Sequence, residues 1–194
     1  MDTLTLLDSE RATLITNVAR VPEPERSRRP SADCWSIAEV LEHLAVVERG
    51  IVKLITLRGR EVPAADAAPA APLSDDRVAA LRGRVRRIEA PERVRPTGTM
   101  TATDALRALE ETRGALRQAL LAANPTSLDG CTHTHPVLGT LTLRDWVHFV
   151  AHHEARHAAQ IAEIAERLPR ESSQGDQGDR HHREIREVRE GNKG

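Results

Sequence analysis

Four stretches of this 194-residue chain repeat aliphatic residues at helical spacing, each bounded by caps, prolines or glycine, and this pattern confines the chain to a helical bundle. Residues 3–20 form the first stretch, with Leu4, Leu7, Leu14, Ile15 and Val18 recurring before Pro22 and Pro24 stop it. Ser36 opens the second, and Glu39 three residues later completes a capping-box pattern. Its stripe runs through Ile37, Val40, Leu41, Leu44, Val47, Ile51, Leu54 and Ile55 to Gly59. Thr101 or Thr103 opens the third, which carries Leu106, Leu109, Leu116 and Leu120 and ends at Asn124-Pro125. Thr142 caps the last, with Asp145 behind it, and the helix runs to about Leu168 before Pro169.

A long crossover joins the second and third stretches. Residues 60–73 are rich in Ala and Pro, a shorter helix is expected from Ser74 to Ile88, and Pro91 to Gly98 reads as loop. Residues 126–141 also read as loop. Strand signals are lacking, and Pro136 and Gly139 demote the few residues around Val137. The expected fold is all-α: a four-helix bundle with a long crossover and one extra short helix. The bundle domain covers residues 1–169, and residues 170–194 form a charged tail expected to be disordered.

Composition agrees with that architecture and narrows the function. Aromatics make up 2% of the chain, so aliphatic side chains and Ala must fill the core, which favours close helix packing. A net charge of −1 and the scarcity of aromatic platforms argue against nucleic-acid binding. No apolar run approaches the roughly 20 residues of a membrane helix. The acidic, then amphipathic, start does not read as a signal peptide. Cys34 and Cys131 have no partner at metal or redox spacing and read as reduced thiols, so a cytoplasmic location is expected.

The chemistry concentrates on the last helix, which holds His148, His152, His153 and His157. At about 100° per residue, Trp146, Val150, Ile161, Ile164 and Leu168 share one side. His153 and His157 fall among them, one turn apart, whereas His148 and His152 fall opposite and are expected in water. Buried imidazoles need partners, and a divalent metal or a polar core network would each supply them. A third ligand must come from another helix. His43, the only histidine among the first 130 residues, lies at the edge of the second stripe. By itself it reads as half-exposed surface.

Other groups lie within reach. Glu48, near the inner stripe, would orient a ligand or act as a base; pairing with an arginine at the rim is the stronger expectation. Gln160 follows His157 by about a turn on the inner side, and Arg156 points sideways, toward an anionic substrate or a surface acid. His135 sits in the loop before the last helix, chiefly as a loop-stabilising group. Trp35 and Trp146 read as packing anchors.

Three segments together resemble the DinB-like (DinB/YfiT) superfamily. They are Trp35-Ser36-Ile37-Ala38-Glu39-Val40-Leu41-Glu42-His43-Leu44, the loop His135-Pro136-Val137-Leu138-Gly139-Thr140-Leu141-Thr142, and His153-Glu154-Ala155-Arg156-His157-Ala158-Ala159-Gln160-Ile161. The resemblance spans roughly residues 4–168. It implies a four-helix bundle holding one divalent metal on His43, His153 and His157, and frequent homodimers. Zinc is the first expectation for all-imidazole ligation, with nickel, iron and manganese as alternatives. The resemblance further implies activity as a thiol S-transferase, or a related hydrolase or isomerase, on a small-molecule thiol or electrophile. The alternative is a non-catalytic metal-binding bundle acting in stress or interaction.

Overall fold

The computed structural model describes residues 2–64, 70, 73–85 and 89–168. The expected tail, part of the Ala-Pro crossover and Ile88 lie outside the described residues. Four long helices form the body: α1 (Thr3–Ala19), α2 (Ile37–Arg58), α4 (Ala102–Ala122) and α6 (Leu143–Arg167). Between them come α3 (Asp75–Arg82), α5 (Pro125–Gly130) and the strands β1 (Thr132–His135) and β2 (Gly139–Thr142). None of the described helices is long and apolar enough to cross a membrane.

The helix starts are fixed by side chains that satisfy otherwise orphaned amides. Ser36 Oγ accepts from the Glu39 amide at 3.2 Å, and the Glu39 carboxylate accepts from the Ser36 amide at 2.8 Å. Thr101 and Thr142 cap α4 and α6 through the amides of Asp104 and Asp145.

Three stretches differ from the sequence-based expectation. α3 stops at Arg82 rather than continuing to Ile88; Val85 beyond it is fully exposed, so the apolar spacing there meets no partner. Asn124-Pro125 ends α4 but also starts α5, because Asn124 Oδ1 accepts from the Thr126 amide and Pro125 suits a first helical position. The region expected as loop is a β-hairpin in register from Thr132↔Thr142 to His135↔Gly139. Its strands have four residues each and only Leu141 among their side chains is fully buried, too little for an alternating pattern to register. Gly139 supplies the left-handed φ of 71° that lets the chain turn back. Trp146 Nε1 donates to His133 O at 3.1 Å and fastens the hairpin to α6.

In the bundle, α2 packs chiefly on α4 and α1 on α6, while α2 also meets α6 and α3 lies across α6. The apolar core divides into two clusters. One contains Leu14, Leu41, Leu109 and Ile161; the other contains Leu7, Ile51, Leu116 and Val150. Between them each long helix places one charged side chain at an inward position: Arg11, Glu48, Arg113 and Glu154. Arg113 bonds Glu48 and Glu154 at 2.7 Å each, while Arg11 bonds Glu48 at 2.9 Å and also pairs with Glu154. Glu48 and Glu154 are each 2% exposed, so this is a closed layer of two cations and two anions inside the bundle. It fixes the axial register of α6 against α1, α2 and α4.

Candidate metal centre

The charged layer lies directly beside the histidines, since Glu48, Glu154 and His153 line one small cavity with Leu44, Leu109 and Val150. Next to the layer, α2 presents His43 and α6 presents His153 and His157. Their ligand-capable nitrogens all lie within 4.8 Å of one another. His153 Nε2 is 3.1 Å from His157 Nε2 and 3.4 Å from His43 Nε2.

Partners on the far ring nitrogens decide where the protons sit. His43 Nδ1 lies 2.6 Å from Val94 O, which only accepts, so Nδ1 carries hydrogen and Nε2 a lone pair. His157 Nδ1 lies 2.8 Å from Gln160 Oε1. Arg84, which only donates, approaches that same oxygen at 3.4 Å and confirms it as the acceptor. His157 Nε2 therefore also carries a lone pair. His153 Nε2 can donate to one of these neighbours at most, so at least one nitrogen pair faces lone pair to lone pair. A cation resolves this conflict: ligand distances of about 2.0–2.1 Å in a tetrahedron separate nitrogens by roughly 3.3 Å. The donor set fits a divalent ion, and its outer hydrogen bonds are the kind that orient metal-binding imidazoles.

Burial lowers the pKa of His43 and holds those of His153 and His157 well below the usual imidazole range. The neighbouring imidazoles and Arg156 add to the effect at His153 and His157. All three are thus neutral, the form that binds metal. Burial, then Arg93 and Arg77, pushes His135 down to about 4, and burial with Arg82 does the same for His152. Because these folded-state values lie below that of the unfolded chain, the unfolded state takes up more protons under acid conditions. Metal-free protein should therefore keep full stability above about pH 6.5 and lose it progressively toward about pH 4. Urea unfolding across that range tests this; stability that rises on acidification would refute it.

The loop after α3 delivers the Val94 carbonyl. Glu42, buried on α2, accepts from the Thr97 amide and hydroxyl and from the Gly98 amide. Gly98 there adopts φ 74°, a conformation that favours glycine. All three Trp and Phe residues of the chain gather around the triad. The Trp35 ring is 5.1 Å from His43, Phe149 stacks on His153 at 5.0 Å, and Trp146 lies 5.7 Å from Phe149.

Glu48 is paired with arginine, but in the core rather than at a rim, and it makes no hydrogen bond to the triad among the described residues. Gln160 holds His157. Arg156 is buried, reaching Leu81 O of α3 at 3.5 Å. His135 accepts at Nδ1 from the Val137 and Leu138 amides, each at 3.1 Å, and its ring lies 4.7 Å from Phe149. His148 and His152 are half-buried, not solvated. The start of α1 and α3 cover that face, where His148 meets Thr3 Oγ1 at 3.0 Å and His152 accepts from Arg82 at 3.1 Å. Val94, Glu42, Phe149 and Arg84 were not singled out from sequence. The spacing of Phe149 one turn before His153 was the one readable signal.

Comparison with known proteins agrees with this architecture. The DinB superfamily pattern matches residues 6–161, and the chain belongs to that family. It is 27% identical over 136 residues to the uncharacterized protein YuaE of Bacillus subtilis (strain 168), covering 70% of this chain and 80% of that protein. The crystal structure of TT2238, a four-helix bundle protein, shares the fold with a TM-score of 0.53 at 19% identity. That match covers 83% of this chain and 96% of the other.

Proposed function

We propose that this protein binds one divalent metal ion on His43, His153 and His157 and uses it on a small-molecule thiol, as a thiol S-transferase or a related hydrolase or isomerase. One observation carries the reading: three neutral imidazoles converge, and no carboxylate or cysteine joins their cluster among the described residues. Three ligands leave a coordination position for a substrate, the arrangement of catalytic rather than structural sites. Zinc suits the donor set best, ahead of nickel, iron and manganese. When bound, such an ion supplies Lewis acidity that lowers the pKa of a thiol.

The chain's own groups do the rest. Val94 O and Gln160 Oε1 hold two of the rings in the ligand tautomer. Phe149 and Trp35 flank the imidazoles and keep water from their faces. Cys131 is buried with its Sγ 3.7 Å from Glu61 O, and Cys34 lies outside the cluster, so the thiol must come from the substrate. Cobalt(II) substitution tests this. Adding 2-mercaptoethanol to cobalt-loaded protein should produce a thiolate-to-cobalt charge-transfer band, absent in His153→Ala. Metal binding without that band would favour the non-catalytic bundle.

A further inference from the structure

His43 and His157 have their ring hydrogens fixed by unlike partners. A backbone carbonyl, Val94 O at 2.6 Å, holds the Nδ1–H of His43, and a carbonyl cannot exchange its oxygen for a donor. His157 relies instead on Gln160, whose amide carries an oxygen at one corner and an NH2 at the other. Turned over, that amide would donate to His157 Nδ1 and leave the hydrogen on Nε2, where a metal needs a lone pair. The metal-free cluster does not resist the turned form, because a hydrogen on His157 Nε2 finds His153 Nε2 at 3.1 Å. A group outside the His157–Gln160 pair has to choose between the two arrangements.

Arg84, just beyond the end of α3, is placed to make that choice. Its Nε and Nη2 donate to the two oxygens of Glu163 at 2.8 and 2.9 Å, a fork that fixes the plane of the guanidinium. The third nitrogen, Nη1, is left to face Gln160 Oε1 at 3.4 Å. A guanidinium only donates, so it meets an oxygen there favourably and would meet an amide NH2 as donor against donor. Glu163 lies on α6 just beyond Gln160, so the contacts run from His157 through Gln160 and Arg84 back to the same helix.

We propose that Arg84 is a positioning residue of the metal centre: through Gln160 it keeps the hydrogen of His157 on Nδ1 and the Nε2 lone pair in the cluster. Its bearing on metal affinity rests on the metal reading above; the place of the hydrogen does not. Long-range proton–nitrogen NMR spectra of metal-free, 15N-labelled protein at about pH 8, where imidazole is neutral, show which ring nitrogen carries hydrogen. The parent should show His43 and His157 both protonated on Nδ1. In Arg84→Met, most of His157 should move its hydrogen to Nε2. Cobalt(II) affinity should then fall by the inverse of the fraction still on Nδ1, about 10-fold where a tenth remains. Arg84→Lys, which still donates, should restore both. In a Gln160→Glu background the carboxylate only accepts, so adding Arg84→Met should leave the His157 hydrogen on Nδ1. A His157 hydrogen that stays on Nδ1 in Arg84→Met alone would overturn the proposal. So would a shift of His43 along with His157, which marks a general loosening rather than a choice made at Gln160. If the parent binds no cobalt at the triad, the metal reading fails, and the spectra of metal-free protein still decide the role of Arg84.

Discussion

His157→Ala protein should lose stoichiometric metal, its affinity falling by more than about 100-fold, since outer-shell losses alone cost about 10–100-fold. The prediction follows from the tautomer argument. Gln160 fixes the proton of His157 on Nδ1, so the Nε2 lone pair belongs to the site whether or not a cation is bound. Gln160→Ala leaves the ring in place but frees it to turn, and should fall within the 10–100-fold range. His148→Ala and His152→Ala remove imidazoles from the same helix without touching the cluster, and should bind metal as the parent does. Competition titration with a chromogenic chelator measures all four. Thermal unfolding gives an independent readout, because metal at about 100 times its Kd should stabilise the parent by about 2.7 kcal/mol and His157→Ala not at all. Equal losses from His148→Ala and His157→Ala would refute the assignment.

The second large effect lies in the charged layer. Arg113→Met should destabilise the protein by about 3–5 kcal/mol, because it strands part of the charge of Glu48 and Glu154 inside the bundle. Against a total stability of about 5–15 kcal/mol, that is a large share. It also removes the donor to Leu7 O at 2.8 Å, leaving a carbonyl of α1 without that partner. The double variant Arg113→Met with Glu48→Met should cost less than the sum of its single changes, since the second removes a charge the first left unpaired. Urea unfolding of the three variants makes the comparison. A loss below about 1 kcal/mol for Arg113→Met would mean that the layer behaves as a solvated pair.

The long helices were legible in sequence because each carries its own stripe and its own cap. Ser36 with Glu39 and Thr142 with Asp145 work in the structure as their spacing predicts, and of Thr101 and Thr103 it is Thr101 that caps α4. The phase of α6 also placed His153 and His157 on the inner side. What it could not supply was the cover over the opposite face. Whether His148 and His152 meet water depends on where α1 and α3 dock, and no local pattern encodes that. The hairpin escaped for a related reason: Thr-His-Thr-His and Gly-Thr-Leu-Thr are stabilised by pairing with each other and by Trp146, not by an apolar alternation of their own.

The charged layer was legible only in part: the spacing led to an arginine partner for Glu48, but at a rim rather than inside the bundle and without Arg11, Arg113 or Glu154. Arg11 stands between Leu7 and Leu14, Glu48 between Leu44 and Ile51, Arg113 between Leu109 and Leu116, and Glu154 between Val150 and Ile161. Each interrupts an apolar stripe at an inward position, and two acids with two bases at such positions is the signature of a buried network. Val94 left no signal at all, since it acts through its carbonyl and reaches His43 only because Glu42 anchors the following loop.

The central claim is that one metal ion joins α2 to α6 through three Nε2 atoms. Crystals of zinc-loaded protein, with diffraction collected on both sides of the zinc absorption edge, test it most directly. The account predicts one anomalous peak per chain within about 2.0–2.1 Å of Nε2 of His43, His153 and His157. A peak at His148 and His152, or no peak at this cluster in protein that binds zinc stoichiometrically by titration, would contradict it.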